Sequence, residues 1–182
     1  MIRLPFFSKR PDHLATLYGD IVATSRAPVA YLDYGVSDDF EGRFERLTLI
    51  TTLVLRRLRA LPAPAASIAQ ELVDRLFADL DDGLRRAGIG DLAVPKRMKK
   101  LAQGFYGRAE AYTAALDGAD EAALRLALSR NLYDSRLAPE RVPVAQIDEI
   151  HRLIARLETL DCDGLLASAG LNRLIQNGYE TA

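Results

Sequence analysis

The reactive side chains of this 182-residue chain are few: two histidines, His13 and His151, and one cysteine, Cys162. One cysteine cannot close an internal disulfide or build a cysteine-based zinc site, and two histidines do not make a His-rich metal centre. Cys162 lies between Asp161 and Asp163, whose charges disfavour its thiolate. His13 falls in a polar helix start, and His151 adjoins Glu149 and Arg152. Neither has a serine or cysteine beside it in sequence, so nucleophilic catalysis has no support. Paired carboxylates can do acid–base work or bind divalent cations. The candidates are Asp74, Asp79, Asp81 and Asp82. Arg75, Arg85 and Arg86 lie one helical turn from them, and surface ion pairs are the better explanation. The chain is therefore expected to be no enzyme and to need no cofactor.

Two further motifs invite a functional reading. Gly88-Ile89-Gly90-Asp91-Leu92-Ala93 has the spacing of a dinucleotide loop. That loop works only between a strand and a helix. Here a helix precedes it and Pro95 follows, so it reads as helix termination and a tight turn. Lys96-Arg97-Met98-Lys99-Lys100 puts four positive charges at a helix start, where the helix dipole disfavours them. An acidic protein, lipid headgroups or RNA could relieve that cost. Lys96, Lys99, Gln103 and Tyr106 follow 3-4-3 spacing and share one face, apart from the core side marked by Met98, Leu101, Phe105, Tyr112 and Leu116.

The elements that must carry these residues are helical. Leucine and alanine number 56, against 25 for valine, isoleucine and threonine together. That skew favours helix over strand. Periodicity predicts a first helix over 11–26, stopped by Pro28, and an ordered loop with aromatic anchors over 29–36. A second helix begins at Ser37 or Asp38 and runs to about Leu58, with Phe40, Phe44, Leu47, Thr51, Val54 and Leu58 in 4-3-4-3-4 steps. Its middle, 47–55, is apolar nearly all round, so it should be the buried centre of a bundle, with Leu53 deep in the core. Arg56, Arg57 and Arg59 suit its C-terminal end. A third helix covers 65–87. A fourth starts between Asp91 and Pro95 and ends at Gly118; its Gly104, Gly107, Ala111 and Ala115 form a small-residue stripe that would admit a neighbouring backbone. A fifth spans 120–133 and a sixth 144–160. Asp163 is expected to cap a short turn, with a last helical piece over 171–177. The expected fold is all-α: a single-domain bundle of six or seven helices over 11–182, behind a flexible tail at 1–10.

The formal charge is −1, with 12 basic and 13 acidic residues in 1–91 and 12 of each in 92–182. That balance argues against DNA binding driven by phosphate neutralisation. The start of the chain has no secretory pattern, and no apolar run approaches the ~20 residues of a spanning helix. A cytoplasmic location is expected, with peripheral contact at the inner membrane as the variant in which Leu4, Phe6 and Phe7 touch lipid.

Four blocks carry a resemblance: 34–45 (YGVSDDFEGRFE), 76–81 (LFADLD), 88–112 (GIGDLAVPKRMKK through FYGRAEAY) and 130–133 (RNLY). In order and spacing they resemble the ubiquinol–cytochrome c chaperone family, over roughly residues 11–135. Pro95 stands where the family is expected to carry a small residue. The resemblance implies a helical, non-enzymatic assembly factor for respiratory complex III that binds newly made cytochrome b. It also implies a small partner protein and work near the ribosomal exit. Polar residues of the blocks that packing does not require are the candidate partner-binding set: Asp38, Arg43, Asp91, Lys96, Lys99, Tyr106 and Arg108. Asp79 and Asp81 are weaker candidates because their arginines account for them. The Lys96–Tyr106 face is expected to dock on nascent cytochrome b, or on a protein or membrane beside it. Two alternatives stay open at this point: a haem- or small-molecule-handling bundle, and a structural subunit of a membrane complex.

Overall fold

The structure is a computed structural model and describes residues 13–167. The expected tail at 1–10 and helical piece at 171–177 lie outside them. Six long helices and two short ones make one all-helical bundle: α1 (His13–Ser25), α2 (Pro28–Leu32), α3 (Phe40–Arg59), α4 (Ala65–Arg86), α5 (Val94–Asp117), α6 (Glu121–Asn131), α7 (Val144–Glu158) and α8 (Cys162–Leu166). A single 3₁₀ turn, Pro139–Arg141, lies between α6 and α7. The all-α expectation holds.

Helix α3 is the centre. It packs against α1, α4, α5 and α7, and twelve of its twenty residues are buried, more than in any other element. Leu49, Ile50, Leu53 and Val54 are almost wholly enclosed, as the all-round apolar run required. The row begins one turn late, because Phe40 stands exposed at the helix entrance. The cap is Asp39 rather than Ser37 or Asp38. Its carboxylate accepts from the Gly42 amide at 2.8 Å, and its backbone is extended, as a cap must be. Gly42 is required there: a Cβ would overlap the Ser37 carbonyl.

The stretch after Pro28 is not a loop. Proline has no amide hydrogen to lose in a first turn, so Pro28 opens α2 instead of merely ending α1. Tyr34 and Val36 are buried anchors just beyond it. Helix α4 buries Ile68, Leu72, Leu76 and Leu84, and its outer row forms the expected pairs, Arg85–Asp81 at 2.7 Å and Arg86–Asp82 at 3.0 Å. Gly88 ends the following turn at φ +79°, so the glycine pair does punctuate helices. Of the small-residue stripe of α5 only Ala115 is buried in the core. Gly107 and Ala111 face open space, while a Cβ at Gly104 would meet the Arg108 guanidinium. Asp161, not Asp163, caps α8, accepting from the Gly164 amide at 2.8 Å.

Charge fixes α3 against two neighbours. Arg46 is fully buried, and its guanidinium forks onto Glu149 of α7 at 2.9 and 3.0 Å. Gln146 closes the ring: its carbonyl accepts from Arg46 at 3.2 Å and its amide donates to Glu149 at 2.8 Å. One residue earlier, Glu45 accepts from Arg108 of α5 at 2.5 Å. Eleven residues on, three turns along the same face, the pattern repeats. Arg56 reaches Asp117 at the end of α5 at 2.6 Å, and Arg57 donates twice to the Leu160 carbonyl just past α7. The arginines assigned to the helix dipole are thus cross-ties to neighbouring elements.

A buried pair stripped of one partner leaves an uncompensated charge, whereas removing both can be nearly neutral. Arg46→Met should lower unfolding stability by about 3–5 kcal/mol. Arg46→Met with Glu149→Leu should recover most of it, as read from urea midpoints. A single-variant loss below about 1 kcal/mol would mean that the pair is solvated rather than structural.

Candidate functional site

An apolar groove of ≈ 810 Å³ lies between α3, α4 and α5. Its walls come from Leu55 and Leu58 of α3, Leu61 beyond it, Ala66 and Ala69 of α4, and Phe105, Tyr106, Ala109 and Ala114 of α5. The groove exists because alanines line α4 and α5 where larger side chains would have met. Its rim is polar: Arg56, Arg59 and Glu110. Asp117 steadies Arg56 from the end of α5. Tyr106, 57% exposed, stands at the edge. Its ring lies 5.4 Å from that of Phe105, edge to face, and 6.1 Å from that of Phe77, so the aromatic edge is braced.

The seven residues singled out from sequence do not form one site. Lys96, Lys99 and Tyr106 do share an exposed face of α5, with Gln103 between them. Asp38 and Arg43 pair with each other at 2.7 Å at the entrance to α3, beside a cavity of ≈ 420 Å³ that Phe40, Phe44 and Leu80 also line. Asp91 is held by Arg85 at 2.6 Å. Arg108 turns inward: it grips Glu45 and lies over the Phe44 ring, 5.9 Å from its centre. Asp79 accepts from the Tyr18 hydroxyl at 2.9 Å and Asp81 from Arg85, so packing accounts for both. His13 and His151 are exposed, and Cys162 is half-buried and free.

Sequence reading missed the groove, whose signal was the alanine pair Ala66–Ala69 facing Ala109 and Ala114. It also missed the Arg46–Glu149–Gln146 ring. A charge at the head of an apolar run that is buried on every side, and another between Ile147 and Ile150, was the available sign.

Burial raises the Glu45 carboxyl above its ordinary 4.5, and the Arg108 bond only partly opposes this. Burial also pushes Tyr133 up to about 12. Its hydroxyl has no partner among the described residues, although Arg46 and Glu149 lie close enough to act on it.

An all-helical bundle with an open, apolar, polar-rimmed groove defines a binding scaffold. The chain matches the family described as Ubiquinol-cytochrome C chaperone over residues 32–169 and belongs to that family. It is also similar to a solved structure, the crystal structure of the Cbp3 homolog from Brucella abortus, at 39% identity and a TM-score of 0.74, over 86% of each chain. None of the curated proteins gives a significant match. The matched span reaches well beyond the residue 135 expected from the four blocks. It takes in α7, whose Gln146 and Glu149 hold Arg46.

A carboxyl with a folded pKa above its unfolded one binds its proton more tightly when folded. Its contribution to stability is fullest below the unfolded value and is lost as pH rises through the folded value. Arg108→Met removes the one bond that keeps Glu45 from rising further. The variant should lose about 1–3 kcal/mol at pH 7. The gap to the parent should narrow as the pH falls toward 4.5, read from thermal midpoints across that range. A gap independent of pH would show that Arg108 acts by packing alone.

Proposed function

We propose that this protein is an assembly chaperone for the ubiquinol–cytochrome c reductase complex that holds an apolar segment of newly made cytochrome b in the α3–α4–α5 groove. The carrying observation is the groove itself, in a chain of this family. A membrane subunit awaiting its partners exposes apolar helix to water, and each uncovered side chain favours aggregation. A groove of ≈ 810 Å³ accommodates several side chains of one helix face, the i, i+3, i+4 mode of helix-in-groove recognition. Arg56, Arg59 and Glu110 hydrogen-bond the polar ends of such a segment without entering the apolar floor. Release needs no chemistry, only a partner subunit that covers the same face better.

The groove suits a peptide better than a haem. Its lining has no histidine, cysteine or methionine, so only the Tyr106 phenol could serve as an axial ligand. The Asp38–Arg43 edge, with exposed Phe40, is a second surface, at the opposite end of the same helix, for a small partner protein. The chaperone acts on the cytoplasmic side; among the described residues no helix is long and apolar enough to cross a membrane.

Ala109→Trp fills the groove from α5 and leaves the cross-ties of α3 alone. The variant should keep its helical circular dichroism and thermal midpoint, lose co-purification with cytochrome b, and fail to restore complex III in a deletion strain. Full complementation by a folded Ala109→Trp protein would sink this assignment.

A further inference from the structure

We propose that the α4–α5 turn and the first turns of α5 form a docking surface for an anionic lipid bilayer, with Leu92 entering the interface and Lys96, Arg97, Lys99 and Lys100 among the headgroups. Leu92 is 99% exposed at the tip of the turn, the most exposed large apolar side chain described. Nothing in the bundle uses it. All four cations are exposed, and none makes an ion pair among the described residues. At 100° per residue they cover an arc of about 160° on α5, centred opposite buried Phe105. A half-cylinder of charge with an apolar tip fits a flat surface better than a groove or a strand of nucleic acid.

Charge distribution points the same way. Residues 88–107 carry four basic side chains and one acid, a net of +3, while the whole chain carries −1; the other 162 residues therefore hold −4. That one acid, Asp91, is neutralised by Arg85. Such a dipolar molecule turns this end toward a negative membrane and the rest away from it. The helix itself opposes the arrangement. Helix α5 begins with neither an aspartate cap nor an acid in its first turn. Lys96 and Arg97 thus sit in the first turn, where helix electrostatics disfavours them, and phosphate headgroups remove that cost. The groove opens about a quarter-turn round α5 from the cation arc, so a docked molecule presents it beside the bilayer rather than buried in it.

The test is co-sedimentation of the full chain with vesicles, independent of any client. Vesicles containing about one-third phosphatidylglycerol in phosphatidylcholine should bind the parent, and pure phosphatidylcholine vesicles should not. Binding should fall steeply with added salt. At about fivefold per charge, Lys96→Glu with Lys99→Glu should weaken partitioning at least about 25-fold. Leu92→Asp should weaken it about tenfold or more. All three positions are exposed, so both variants should keep the parent's circular dichroism. Absence of parent binding, equal binding to both lipids, or variants that bind like the parent would each overturn the proposal. The last outcome would place any membrane contact elsewhere in the chain.

Discussion

The architecture depends on one buried charge. Arg46 sits in the most enclosed helix of the bundle, and Glu149 and Gln146 of α7 must be where they are for that charge to be tolerated. An apolar helix alone can rotate and slide within a core, because hydrophobic contact is non-directional. A guanidinium fork with two fixed acceptors cannot. Once Arg46 is placed, Glu45 must point about 100° away, toward Arg108 on α5. Three turns later Arg56 and Arg57 repeat that divergence, to Asp117 and to the Leu160 carbonyl. Two adjacent pairs of side chains thus pin α3 to α5 on one flank and to α7 on the other.

This rigid frame explains how an apolar groove stays open in water. Alanines at 66, 69, 109 and 114 leave space, and a loosely tied bundle would collapse into it. Helix α5 is held to α3 past its middle, by Arg108–Glu45, and at its C-terminal end, by Arg56–Asp117, and Ala109, Glu110, Thr113 and Ala114 of the groove wall lie between those ties. The braced ring of Tyr106 props its edge. Arg108 therefore belongs to the support of the groove rather than to its surface, although it stands in the same block as Tyr106.

What was legible in the sequence was whatever local periodicity controls. The apolar run 47–55 told that α3 is central, the glycines at 88 and 90 told where α4 ends, and the 3-4-3 spacing of Lys96, Lys99, Gln103 and Tyr106 told that they share an exposed face. What failed was decided at a distance or by a single bond. Asp39 wins the α3 cap over its neighbours because Gly42 can approach Ser37. The partner of Arg46 lies 103 residues away, beyond any local pattern. The candidate set scattered for the same reason. Residue type marked Asp38, Arg43, Asp91 and Arg108 as polar and unexplained, but each had an ion-pair partner that spacing along one helix could not supply.

The central question is whether the α3–α4–α5 groove holds cytochrome b. A photo-crosslinking amino acid at position 109, on the groove wall, answers this directly in cells making cytochrome b. Position 126, exposed on α6 away from the groove, is the control. A cytochrome b adduct is expected from position 109 and none from 126. No adduct from 109, or one of equal strength from 126, would contradict it.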